Sequence, residues 1–323
     1  MNTSSPLVVV RDLHRSFGPI QAVQDLSFRL PRGRVTGFIG ANGAGKTTTM
    51  RMMASLDIPN AGSIEIDGVN VLEDPAHARS SIGWMPDAYG SYQDMTVWEY
   101  LDFFARAFGY EGIERRRRVD EVIEFADLGA LAERPANTLS KGMSQRLCLG
   151  RSLVHDPALL ILDEPAAGLD PKARIEFKHL VRLLAGEGKT VFISSHILSE
   201  LAEMCDTLLF IDNGRLIHEG TAESLMHGDA PGVAYAVETS GPVDALEDWV
   251  AVRPDAAVIE IRKNGALIRF DHNSPEAISG VLKEMIDAGI HVTDFHRERR
   301  KLEDAFVEIL EKLKPAGETG RLS

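Results

Sequence analysis

The sequence predicts an α/β fold with an antiparallel β subdomain, a helical block inserted into the core, and a small α+β domain at the C-terminal end. Three observations carry this reading. Val35–Ile39, Leu159–Leu162 and residues 190–194 are short and almost wholly apolar, as expected of parallel strands buried on both faces. A glycine-rich loop follows the first of them directly, where an open α/β sheet places its ligand chemistry. Between residues 97 and 131 the apolar spacing changes from the two-residue period of strands to the helical one. A chain of 323 residues also exceeds the usual size of one hydrophobic core, so two domains are expected.

Taken in order, residues 7–10 and 23–30 read as strands separated by a turn at Phe17-Gly18, and Pro31-Arg32-Gly33 closes the second. Val35–Ile39 leads into the glycine loop, and residues 47–56 then read as a helix with Met50, Met53 and Ala54 on one face. Residues 63–71 form a strand pair about Asp67-Gly68. The helical block places Tyr100, Leu101, Phe104 and Ala107 on one stripe and Val119, Val122 and Ile123 on another. Strands 208–211 and 216–218 flank an Asn213-Gly214 turn. Gly, Asp, Ala and Pro cluster at residues 227–232, which places a boundary near residue 228. Domains are therefore expected at 1–228, with the helical part at about 88–150, and at 229–323. In the second, 232–238, 257–262 and 266–270 read as strands, and 275–288 and 301–313 as helices.

Composition limits function. Lys and Arg number 35 against 48 Asp and Glu, a net charge of −13, which disfavours bulk binding to nucleic acid or anionic lipid. The two cysteines, Cys148 and Cys205, have neither disulfide-framework nor metal-ligand spacing and read as packed thiols in a reducing compartment. No stretch of about 20 apolar residues is present, and residues 1–6 lack a basic leader. A cytosolic protein is expected. The run Arg115 to Arg118 reads as a solvated helix face.

Residues Gly40-Ala41-Asn42-Gly43-Ala44-Gly45-Lys46-Thr47 satisfy G-x-x-x-x-G-K-[ST] at every fixed position. Glycines let backbone N–H groups turn inward around phosphates, and the following helix offers them its positive dipole end. Lys46 supplies a point charge, the Thr47 hydroxyl a ligand for Mg²⁺, and Thr48 extends the polar lip. The strand 159–162 ends in Asp163-Glu164, a placement that suits Asp163 to Mg²⁺ and Glu164 to general-base work on a water. His196 follows the strand 190–194, where a γ-phosphate contact is within reach.

In this order the motifs resemble those of the ATP-binding subunit of ABC transporters, over residues 7–225. Leu139-Ser140-Lys141-Gly142-Met143 stands where that family has Leu-Ser-Gly-Gly-Gln, followed by Gln145-Arg146 as in the family. Ser140 and Gly142 match, whereas Lys141 and Met143 depart from the common form toward a variant familiar in exporters. The resemblance implies a P-loop ATPase that takes ATP and Mg²⁺. It implies that Phe17 stacks on adenine, Asp170 of Ala167-Gly168-Leu169-Asp170 lies at a dimer interface, and His196 is the switch histidine. Ser140 and Gly142 would bind the γ-phosphate held by a second subunit. Asp87, after Gly83-Trp84-Met85-Pro86, stands where the family has Gln. A carboxylate there still reaches Mg²⁺ through water but cannot donate an amide hydrogen bond. Leu302-Glu303-Asp304-Ala305-Phe306 resembles the tail of ABC-2 exporter ATPases.

The implied protein is a peripheral motor on the cytoplasmic face of a membrane. It works with a separate transmembrane permease and a second ATP-binding subunit, a homodimer being favoured over a heterodimer, without nucleic acid. The alternatives are a soluble ABC-type ATPase on ribosome or DNA, which usually carries two modules or a long coiled coil, and an importer ATPase with a regulatory β-barrel. The two helices expected in the tail argue against that barrel.

Overall fold

The computed structural model describes residues 5–87, 90, 95–227, 233–271 and 274–298. They divide into two compact units, the first ending at Ala222 and the second beginning at Glu223.

The first unit opens with a long hairpin, β1 (Val8–Phe17) and β2 (Ile20–Leu30), whose turn at residues 18–19 is the one the sequence places after Phe17. β3 (Val35–Ile39) leads through the glycine loop into α1 (Lys46–Met53). The hairpin β4 (Ala61–Ile66) and β5 (Val69–Asn70) pairs with β1, which gives an antiparallel sheet ordered β2-β1-β4-β5. A short α2 (Pro75–Ser81), capped by Asp74, precedes β6 (Ile82–Met85).

The helical block holds α3 (Val97–Ala107), α4 (Gly112–Phe125) and α5 (Lys141–Leu153). Thr96 and Glu99 start α3 with a reciprocal capping box. β7 (Leu159–Leu162), α6 (Pro171–Gly186), β8 (Thr190–Ser195), α7 (Leu198–Ala202), β9 (Thr207–Asp212), β10 (Arg215–Gly220) and α8 (Ala222–His227) follow.

The second sheet is ordered β10-β9-β3-β8-β7-β6, parallel except for the edge strand β10. β3, β7 and β8 are buried at every position, which is why they read as short, mostly apolar runs. Phe28 of the antiparallel sheet meets Phe38 and Phe192 of the parallel one, with ring centroids 6.0 and 5.5 Å away. This aromatic wedge joins the two sheets.

In the second unit β11 (Val233–Thr239), α9 (Val243–Ala251), β12 (Ala256–Arg262), β13 (Gly265–Phe270), α10 (Pro275–Asp287) and β14 (Val292–Arg297) build an antiparallel sheet ordered β12-β13-β11-β14. Val237, Ile268 and Phe270 of the sheet pack with Leu246 of α9 and Met285 of α10. The helix expected at 301–313, with the motif at 302–306, lies outside the described residues. Among the described residues no helix is long and apolar enough to cross a membrane.

The arginine run differs from expectation. Arg115 is an ion-pair partner of the buried Asp102 at 2.6 Å, and Arg118 donates to the carbonyls of Leu153 (Nη2) and of Val154 (Nε, 2.8 Å). Arg116 lies over the Trp98 ring, and Arg117 pairs with Glu121 one turn on. Only the last is an ordinary solvated pair; the others fasten α4 to its neighbours. Both cysteines are buried. Burial pushes the Cys148 thiol up to about 11 and the Cys205 thiol higher still, so neither is a reactive thiolate.

Candidate nucleotide-binding site

The glycine loop leaves β3 and closes on itself because its glycines permit it. Gly45 sits at φ +107°, and a Cβ there would stand 2.4 Å from the Ala22 carbonyl. At Gly40 a Cβ would meet the Ile211 carbonyl at the same distance. Any side chain at either place would push the loop off the sheet. Lys46, only 6 % exposed, folds back so that Nζ donates to the carbonyl oxygens of Gly40 (2.7 Å) and Ala41 (3.2 Å). Its third neighbour is Glu164 Oε1 at 3.3 Å. The ammonium thus has a full set of partners around an open cradle.

A cavity of about 340 Å³ stands over this loop. Asn42, Gly43, Gly45, Lys46, Thr47 and Thr48 form its floor, and Asp87, Glu164 and His196 face it from the ends of β6, β7 and β8. Parallel strands place all these side chains at one sheet edge. Asp163, the residue after β7, is almost fully buried. It accepts a 2.6 Å hydrogen bond from Ser194 Oγ, and Thr47 is its second hydrogen-bond partner. Burial pushes its carboxyl up, the neighbouring Glu164 and Asp87 carboxylates push the same way, and the two hydrogen bonds oppose them.

Glu164 holds φ +48°, a left-handed conformation unusual for a residue with a side chain. Its amide donates to Ser194 Oγ at 2.9 Å, and its carboxylate reaches both Lys46 and His196 Nδ1, the latter at 2.8 Å. The structure therefore brings Lys46, Glu164 and His196 into one contact chain above the phosphate cradle. Strained backbone held by surrounding bonds is a recurrent property of reacting sites.

Four expected residues, Ser140, Gly142, Asp170 and Phe17, do not line this cavity. Ser140 is the N-cap of α5 and accepts from the Met143 amide. Gly142 faces α6, where a Cβ would come within 3.0 Å of Ala173. Asp170 caps α6 by accepting from the Ala173 amide at 2.8 Å. Phe17 is exposed at the tip of the β1–β2 hairpin, with the Arg15 guanidinium 4.4 Å over one ring face. Ser194, which holds both Asp163 and Glu164, is a site residue that reading along the chain misses. Its signal is positional: Leu162 pairs with Ile193 in parallel register, so Asp163 and Ser194, the next residue in each segment, stand level.

The residues fit a divalent cation. Thr47 and Asp163 offer hard oxygen donors, and Asp87 adds a nearby carboxylate. Among the described residues no group of three or more His, Cys, Asp or Glu forms a cage. That suits Mg²⁺, which takes few protein ligands and completes its shell with water and substrate phosphates.

A phosphate cradle at the N-terminus of α1, with a carboxylate and an imidazole above it, defines a P-loop nucleotide hydrolase. Residues 23–167 match the family described as ABC transporter. The chain is 39 % identical over 223 residues to the Nod factor export ATP-binding protein I of Ralstonia nicotianae, covering 69 % of this chain and 70 % of that protein. It is 33 % identical over 305 residues to the daunorubicin resistance ATP-binding protein DrrA3 of Streptomyces coeruleorubidus, covering 94 % and 95 %. Among solved structures, an ATP-binding subunit of an ABC transporter superposes with a TM-score of 0.62 at 29 % identity, covering 68 % of this chain and 92 % of that one. CbiO1 of Clostridium perfringens, part of the cbiONQ complex, gives 0.63 at 28 %, covering 68 % and 89 %. The chain belongs to the ABC transporter ATP-binding family: it is an ATPase subunit whose hydrolysis of ATP powers transport.

Proposed function

We propose that this chain is the motor of an exporter, and that two copies close over two ATP molecules on the cytoplasmic face of a membrane, held there by a separate transmembrane permease. The observation that supports it most is the chain Lys46–Glu164–His196 at 3.3 and 2.8 Å over the P-loop. The amides of Gly43 and Gly45 and the Lys46 ammonium bind the β- and γ-phosphates, with Gly40, Asn42, Thr47 and Thr48 shaping the cradle. Phe17 offers its free face to adenine. Glu164 accepts a proton from the attacking water as the bond between the γ-phosphorus and the β–γ bridging oxygen breaks. His196 orients Glu164 and contacts the γ-phosphate. Thr47 and Asp163 would hold Mg²⁺, with Asp87 near enough to reach it through water. When bound, the ion would neutralise charge on the triphosphate.

One chain presents one cradle and one signature helix. Ser140 and Gly142 stand away from the cavity, which favours a two-fold partner that brings its own signature to this cradle, with Asp170 at the junction. An identical second chain is the economical choice. Export is favoured by the name of the relative from Ralstonia, a Nod factor export ATP-binding protein. Residues 1–228 act as the motor domain and 229–323 as an accessory domain. The acidic charge of −13 disfavours a nucleic-acid partner.

Glu164→Gln tests the reading. It keeps the side-chain volume and removes the base, so hydrolysis is expected to fall by about 10²–10⁴-fold while ATP still binds. In ATP and Mg²⁺ the variant should elute as a stable dimer by size-exclusion chromatography with light scattering. Normal turnover in this variant removes the base assignment.

A further inference from the structure

We infer that Glu200 and Arg174 are positioning residues for hydrolysis, tying the loop that carries Glu164 to the loop that carries His196. The inference rests on the reading above that Glu164 and His196 act on the water and the γ-phosphate.

The loops after β7 and β8 are joined at three points. Ser194 holds Asp163 and the Glu164 amide, and His196 holds the Glu164 carboxylate. The third point lies outside the cavity and is built from charged groups. Arg174, in the first turn of α6, donates from Nη2 to the Leu169 carbonyl at 3.3 Å. Its Nε stands 3.1 Å from Glu200 Oε1 in an ion pair. Glu200 Oε2 accepts from Ser195 Oγ at 3.3 Å, and the same oxygen of Ser195 accepts from the Ile197 amide at 2.9 Å. The path runs from the residue before Asp170, through two side chains and one hydroxyl, to both backbone neighbours of His196.

The Glu200 side chain is 6 % exposed. Burying a carboxylate costs free energy that its ion pair only offsets, and an apolar pair of equal volume packs there at least as well. What the charges add is direction. Glu200 sets the proton of Ser195, so that the oxygen's lone pair faces the Ile197 amide, and Arg174 sets the Leu169 carbonyl. Glu200 belongs to α7, a helix of five residues, and its carboxylate reaches no group that lines the cavity. A displacement at the N-terminal end of α6, where Asp170 caps the helix, therefore reaches His196 without passing through the nucleotide.

The test uses Glu200→Gln and Arg174→Gln in the full chain, with steady-state ATP hydrolysis, ATP affinity by calorimetry, and the His196 imidazole followed by ¹⁵N NMR. A tenfold fall in kcat is expected, with KM and Kd for ATP within twofold of the parent. The His196 ring resonance should move toward an average of several positions. Unchanged kcat overturns the inference, and so does a parallel loss of kcat and ATP affinity, which marks general loosening. Should either variant not fold, Ser195→Ala cuts the same path at a small uncharged residue and is expected to lower kcat threefold with Kd unchanged; unchanged kcat there overturns the proposal. Glu164→Gln and His196→Ala run beside them. If both hydrolyse ATP normally, the reading of the site fails and this inference with it. If both are inactive while Glu200→Gln and Arg174→Gln turn over normally, only this inference fails.

Discussion

α1 and α5 begin alike and finish in opposite surroundings. Each starts behind a small residue that leaves amide N–H groups pointing out of the helix, Gly45 for α1 and Ser140 for α5. At α1 the groups that complete a phosphate site all come from this chain: Lys46 is buried, held by two carbonyls, and within 3.3 Å of Glu164. At α5 Lys141 is exposed and the rest of the first turn half-buried, its cap bond at 3.4 Å is long, and no residue that faces the cavity accompanies it. Two equal dipole ends thus differ in what surrounds them, and surroundings decide how much a helix end contributes to anion binding. The difference supports the proposal that the α1 site suffices for ATP, while the α5 site takes its ligand from another chain.

The largest effect that can break this comparison is at Lys46. Lys46→Ala removes the one buried ammonium of the cradle. ATP affinity is expected to fall about 30- to 100-fold, the ~2–3 kcal/mol of a charge-assisted contact, as read by calorimetry. Full affinity in this variant would mean that the triphosphate does not lie at α1.

Ser140→Ala should do something different. Loss of the cap costs about 1 kcal/mol of stability, and ATP affinity at low protein concentration should stay within twofold. Hydrolysis at high concentration, where dimers form, should fall about tenfold, the lower end of what removing a positioned donor costs. If affinity in the monomer falls as well, α5 acts on the ATP of its own chain and the contrast between the helices disappears.

What could be read beforehand follows from the same physics. The P-loop and Asp163-Glu164 are legible because phosphate and Mg²⁺ accept few residue types at fixed spacing. β3 and β7 are legible to the residue because burial on both faces leaves them almost wholly apolar, Thr36 being the one polar residue in the two strands. Ser194 was not, since a hydroxyl at a strand end is unremarkable until the register sets it beside Asp163. Arg174 and Glu200 are 26 positions apart in the chain and pair only through the packing of α6 and α7, which one sequence does not encode visibly. Arg115 and Arg118 were misread as solvated for a related reason: a charge run shows its composition but not the buried Asp102 or the helix-end carbonyls it meets. In the second unit β13 and α10 were legible by period, whereas β14, with Asp294, His296 and Arg297 on an edge, carries too little apolar alternation to announce a strand.

The smallest effect concerns the far end of α5, and it sharpens the comparison by asking how firmly this helix is carried by the sheet that holds the cradle. His155, two residues past α5, makes a 2.9 Å hydrogen bond from Nε2 to the Ile82 carbonyl at the start of β6, and its ring stacks on Phe108 at 3.9 Å. A carbonyl only accepts, so Nε2 carries the proton and the buried Nδ1 is bare. Burial pushes the imidazole below its usual value, Arg118 and Lys189 push the same way, and the Ile82 bond and Asp156 oppose them. The folded chain therefore resists a proton that the unfolded chain accepts near its ordinary value of about 6.5. Stability is full above that pH and is lost as pH falls from there toward the lowered folded value, with a slope no steeper than one proton. His155→Gln keeps a donor for Ile82 and cannot titrate. Its unfolding midpoint should be lower at pH 7.5 through loss of the stacked ring, yet decline less than the parent's between pH 7 and 5.5. Equal declines would mean that the His155 tether between α5 and β6 does not titrate, and that the signature helix is held to β6 by packing and by the Arg151 Nη2 bond to the Trp84 carbonyl.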